Sequence, residues 1–139
     1  MATKEIRVRW LRDMEFEAED QRGHTGLLGQ ETGFKPSELL LVALAGCTAM
    51  DVVSILQKKR QVITGVEVVV RGEQLDDYPK RFHRAELEYL VHGKDVDPRA
   101  VERAIELSAT KYCSVQVTLA PCVELHHSYR IVGEDQATS

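Results

Sequence analysis

The residues with most chemistry to offer are two cysteines in unusual settings. Cys47 lies at the end of the apolar run Leu39-Leu40-Leu41-Val42-Ala43-Leu44-Ala45-Gly46, which reads as the middle of a buried helix. Cys113 closes a second helical segment, within Ala109-Thr110-Lys111-Tyr112-Cys113-Ser114-Val115. A lone thiol on a buried helix is usually a small hydrophobe. Two of them, on the only two long helices, support redox chemistry if the helices meet. Bridging needs Cα atoms within ~7 Å, a distance that sequence separation leaves open.

Other chemistry-bearing residues have a blander reading beside the functional one. Asp51 follows Cys47 by one helical turn on the same face. It would disfavour a thiolate unless paired, so it reads as a hydrogen-bonding residue of the site or as the partner of a cation. His127 falls on the apolar side of the last strand and reads as a satisfied core histidine; His126 points the other way. His24, His83 and His92 are isolated, and Cys122, after Pro121 at a strand start, reads as a buried bystander. No CxxC or HxxH spacing occurs, so a Cys/His metal site is the least favoured reading, with no cofactor or metal expected.

The elements that must position these residues follow from periodicity. Ile6, Val8 and Trp10 alternate with Arg7 and Arg9, and Met14 and Phe16 with Glu15 and Glu17: a hairpin turning at Leu11-Arg12-Asp13. A Gly-rich loop runs from Gly23 to Gly33, and Pro36 opens a central helix over 36–60, apolar on all sides in its first half and so buried all round. Alternation around Val66–Val70 and Ala85–Val91 gives two strands, with a loop at Leu75–Pro79. Asp97-Pro98 starts the second helix, whose Val101, Ala104, Ile105, Ser108 and Tyr112 share a face. A last strand over 123–131 and a frayed tail over 133–139 complete an α+β order in a single domain, 1–139.

Composition excludes several classes. The 139 residues are 43% hydrophobic and 29% charged, which is globular rather than disordered. A formal charge of −4 argues against a broad nucleic-acid surface. The apolar run from Leu39 to Met50 falls short of the ~20 residues of a membrane span. Met1-Ala2-Thr3-Lys4-Glu5 lacks the apolar stretch of a secretory signal, and three cysteines suit free thiols, so a cytoplasmic protein is expected.

Two stretches resemble the signatures of the OsmC/Ohr family of thiol peroxidases: Pro36-Ser37-Glu38-Leu39-Leu40 running into Ala45-Gly46-Cys47-Thr48-Ala49-Met50-Asp51-Val52, and Lys111-Tyr112-Cys113-Ser114-Val115. The Trp10 strand, Asp51–Lys58 and His127-Ser128-Tyr129 are most similar to its poorly characterised OsmC-like subgroup. The resemblance implies an α+β, OsmC-like fold with two long central helices packed against antiparallel sheets, built as an intertwined homodimer with sites at the subunit interface. It implies reduction of organic hydroperoxides, with Cys47 peroxidatic, Cys113 resolving, and a small dithiol or lipoyl-type reductant.

Activation of Cys47 is the demanding step. About ten residues, or ~15 Å, separate it from its own helix's positive end, and apolar burial raises a thiol pKa. In the family an arginine on the first hairpin supplies the cation; here Arg12 matches best and Arg22 second, although a turn arginine is more often simply solvated. The family glutamate follows the helix-entry proline, where this chain has Ser37; the nearest carboxylate, Glu38, is turned ~100° about the helix and also suits the helix dipole. The departure gives weight to an alternative from another class: a non-enzymatic protein binding a small apolar ligand at the dimer interface.

Overall fold

The computed structural model describes residues 1–133, so the expected frayed tail lies outside the described residues apart from Gly133, which closes the last strand. The chain forms two compact units, one over Met1–Leu40 and one beginning at Leu41.

The first unit is an antiparallel sheet, β1 (Ile6–Arg12), β2 (Glu15–Asp20) and β3 (Thr25–Gly29), in the order β1-β2-β3. The expected hairpin is present, but its turn is Asp13-Met14. Arg12 ends β1, paired with Glu15 after a bulge at Leu11, and Asp13 takes the left-handed φ of 44° that aspartate tolerates. The expected alternation inverts there: Glu15 is buried and Met14 is exposed. Its carboxylate accepts the backbone N–H groups of Glu31 (3.0 Å) and Thr32 (3.4 Å) and the Thr32 hydroxyl (2.6 Å). Those bonds, the Thr32 hydroxyl foremost, hold Glu15 below the ordinary carboxylate value. The Gly-rich stretch is not all loop, since β3 runs through it. The smallest side chain is needed at Gly33, where an added Cβ would collide with the Leu27 carbonyl.

In the second unit the core lies between helices and the long hairpin β4 (Val62–Gln74) and β5 (Phe82–Lys94), with β6 (Glu124–Gly133) parallel to β5. Alternation on β5 is strict: Ala85, Leu87, Tyr89 and Val91 are all buried. Against them pack Leu44, Val52 and Leu56 of α1 (Pro36–Lys58) with Val101, Ala104 and Ile105 of α2 (Pro98–Leu107). Each of the leucine, valine and isoleucine side chains removed from water is worth ~1.5–3 kcal/mol.

Helix α1 starts at the expected proline and ends two residues short of 60, at Lys58. Only one stripe, Leu44, Thr48, Val52 and Leu56, is fully buried. The expectation of burial all round is therefore wrong for the single chain: Leu40, Val42 and Met50 are exposed. At 23 residues, with an 18-residue stretch of mean hydropathy 2.2, α1 also has the length and composition to cross a membrane, which the shorter run read from the sequence lacks. Its buried stripe is committed to the domain core, and that stripe carries a hydrogen-bonded hydroxyl, Thr48.

The second helical stretch is interrupted. Asp97 caps α2 as expected, accepting the Arg99 N–H (2.9 Å), with Pro98 in its first turn. After Leu107 the chain widens into a π turn over Ser108–Tyr112, closed by Cys113 N–H donating to the Ser108 carbonyl at 2.9 Å. Cys113 closes this second helical stretch, as expected, although the stretch widens before it ends. It is extended, and it caps a further helix, α3 (Ser114–Leu119), which periodicity gives no sign of.

Candidate active site

Helix α1 and the π turn bring the two cysteines together. Cys47 Sγ, Cys113 Sγ and a carboxylate oxygen of Asp51 all lie within 4.8 Å of one another. Cys47 and Asp51 share a face because four residues make about one turn. Cys113 reaches them because the π turn, a feature frequent at functional sites, shifts the chain before α3 begins. Both thiols are free, Cys47 partly exposed and Cys113 fully buried.

The pair is unequal. Burial, reinforced by the neighbouring Cys47 thiol, pushes the Cys113 thiol up to about 11. At neutral pH Cys113 is therefore a neutral thiol. Its sulfur also accepts the Gln116 backbone N–H at 3.4 Å, as the cap of α3.

Behind the thiols lies a polar chain, buried at Ser108, Thr48 and Tyr89 and reaching the surface at His127. The Ser108 hydroxyl donates to Asp51 Oδ2 at 2.9 Å and contacts Thr48 Oγ1 at 2.9 Å; Thr48 meets the Tyr89 hydroxyl at 3.1 Å; Tyr89 meets His127 Nδ1 at 2.9 Å. Donor counting fixes its direction. A hydroxyl has one proton, so Ser108, donating to the carboxylate, must accept from Thr48. Thr48 must then accept from Tyr89, and Tyr89 from His127. His127 therefore carries its proton on Nδ1, and every proton in the chain points toward Asp51. Burial agrees at both ends: it pushes Tyr89 up to about 12 and holds His127, with help from His126, below its ordinary value. Gln116 Nε2 braces the middle, donating to Thr48 Oγ1 at 3.0 Å, while its Oε1 is buried with no partner among the described residues.

His127 faces Tyr89 as its apolar register suggests, its ring stacked there with centroids 5.8 Å apart, but it keeps an exposed edge and is not a core histidine. Cys122 is exposed rather than buried, because the turn before β6 leaves it outside the core. Thr48, Ser108, Tyr89 and Gln116 are not evident from the sequence as site residues. A hydroxyl in the otherwise apolar stripe Leu44-Thr48-Val52-Leu56 is the one available signal. The remaining candidates lie in the first unit. Arg12 ends β1, and its charge helps hold Glu15 down. Arg22 is 3.5 Å from Asp20. Glu38 accepts the Lys35 N–H at 2.9 Å, the reach-back half of a helix cap.

A family model described as OsmC-like protein matches residues 29–128, a span that holds both cysteines and the polar chain from Thr48 to His127. Protein YhfA of Escherichia coli K12 is 41% identical over 132 residues, covering 93% of this chain and 98% of its own. Among solved structures, a hypothetical protein from Aquifex aeolicus VF5 is 31% identical with a TM-score of 0.89, covering 96% of this chain and 99% of its own. The organic hydroperoxide resistance protein OhrB of Bacillus subtilis shares the fold at a TM-score of 0.63 and 14% identity, over 93% of this chain and 98% of its own. The model match and the identity to YhfA extend well beyond the cysteine motifs to nearly the whole α+β chain, which belongs to the OsmC-like family.

Proposed function

We propose that this protein is a thiol-dependent peroxidase that reduces organic hydroperoxides in cytoplasmic oxidative-stress defence. The observation that carries the reading is the meeting of Cys47 and Cys113 beside Asp51, within 4.8 Å, with Cys113 held neutral. Cys47 is the attacker because it is the more accessible thiol, and Cys113 the resolver because a resolving cysteine needs no early charge.

The steps balance on these residues. The Cys47 proton passes to the Asp51 carboxylate, and the thiolate attacks the O–O bond. A Cys47 sulfenic acid forms, and the departing alkoxide takes the proton from Asp51 and leaves as the alcohol. Cys113 then condenses with the sulfenic acid, releasing water and forming the Cys47–Cys113 disulfide. A small dithiol or lipoyl-type reductant restores both thiols by exchange. Asp51 takes the place that Ser37 leaves without a carboxylate, while Glu38 stays with its helix cap. Arg12, with Arg22 second, stays the candidate for the cation that the family carries on its first hairpin. The exposed Leu40, Val42 and Met50 of α1 support a homodimer that covers them.

Turnover of cumene hydroperoxide with dihydrolipoate tests the reading. Wild type should be active, Cys47→Ser inactive, and Cys113→Ser should accumulate sulfenic or over-oxidised Cys47. Wild type that leaves the hydroperoxide untouched under several dithiols contradicts it.

A further inference from the structure

The same three side chains form a donor set whose use need not be limited to peroxide. Cys47 Sγ, Cys113 Sγ and an Asp51 oxygen lie within 4.8 Å of one another, from α1 and from the residue that opens α3. A tetrahedral zinc ion, with bonds of ~2.3 Å to sulfur and ~2.0 Å to oxygen, wants its ligands ~3.5–3.8 Å apart. Contraction from at most 4.8 Å, by about 1.3 Å or less, would close the triangle around an ion. Metal-ligand motifs in sequence do not reveal this set, because one ligand is 62 residues or more from the other two and one is a carboxylate.

The outer shell that fixes metal ligands is also in place. Ser108 Oγ donates to Asp51 Oδ2 at 2.9 Å, leaving the other carboxylate oxygen for an ion. The Gln116 N–H donates to Cys113 Sγ at 3.4 Å and fixes that sulfur at the start of α3. Asp51 also borders an open cleft of about 360 Å³ lined by Leu107, Tyr112, Lys58 and Lys59. Two thiolates with one carboxylate select a thiophilic ion over magnesium or calcium.

We propose that Cys47, Asp51 and Cys113 form a three-ligand site for a thiophilic divalent cation such as zinc, open at its fourth position. Zinc and peroxide then compete for the same sulfur electrons. Oxidation by an organic hydroperoxide, a step that rests on the peroxidase reading, releases the ion: two thiolates give two electrons to the O–O bond and join as a disulfide. Two protons from solvent complete one alcohol and one water.

The test titrates zinc alone into the reduced, chelator-stripped protein against a chromophoric zinc indicator, with no hydroperoxide present. Expected are one zinc per chain and weakening of about 100-fold in Cys47→Ser and in Cys113→Ser, with about 10-fold in Asp51→Asn. Circular dichroism of each metal-free variant establishes that it folds. Wild type that binds zinc no more tightly than the folded double variant Cys47→Ser/Cys113→Ser overturns the site. Hydroperoxide turnover measured in excess chelator reads the peroxidase separately, so the two failures are distinguishable.

Discussion

Thr48 carries more of the site than its size suggests. Its one hydroxyl meets Tyr89, Ser108 and Gln116 in a fully buried position. Thr48→Val keeps the shape but strands those partners, each in low dielectric, and should cost about 2 kcal/mol in urea unfolding. His127, at the far end, gives two further expectations. Nitrogen-15 NMR should find the neutral ring protonated on Nδ1; protonation on Nε2 would break the derived direction of the chain. Because burial holds His127 below 6.5, the unfolded chain binds a proton that the folded chain refuses. Stability is therefore fully present above pH ~6.5 and falls as pH drops from that value toward the lower folded pKa. Between pH 7 and pH 5, melts of His127→Gln should show a shallower fall than wild type.

At the scale of elements, most of what periodicity can say is correct. The first hairpin, the proline entry of α1, the Asp97 cap and the alternation of β5 follow from local preference reinforced by burial, whereas β6 breaks its alternation at His126 and His127. What local preference cannot reveal is set by distant partners. Glu15 sits on the polar side of its strand by alternation, yet it is buried because Glu31 and Thr32 return to bind it. The π turn at Ser108 leaves no composition signal, because Ser-Ala-Thr-Lys-Tyr suits an ordinary helix; its role in placing Cys113 emerges only with the tertiary contacts. Likewise the two cysteines are legible as a pair through motif resemblance, whereas the hydroxyls behind them look like ordinary helix and strand residues. Close approach of backbones is similarly hidden. A Cβ at Gly93 would run into the Val62 carbonyl across the β4–β5 pair, while one at Gly65 meets His92 at an ordinary 3.6 Å. Gly93→Ala should therefore destabilise by about 2 kcal/mol and Gly65→Ala by much less, as compared by thermal melts.

For the molecule as a whole, the exposed apolar residues of α1 are the strongest reason to expect a second copy. Leu40, Val42 and Met50 remain 47%, 45% and 76% exposed on a helix of which only one stripe is fully buried, which is costly for a monomer in water. Light scattering should give twice the 15.7 kDa chain mass, and Val42→Glu should shift it toward one chain. A wild type that stays monomeric at high concentration would oppose the dimer. The chemistry itself is read most directly by counting thiols in a single turnover. One equivalent of cumene hydroperoxide, added anaerobically to reduced protein without reductant, should lower the titratable thiols under denaturant from three to one. Peptide mapping should then join Cys47 to Cys113 and leave Cys122 free. Three thiols remaining, or a bridge that includes Cys122, would contradict the account.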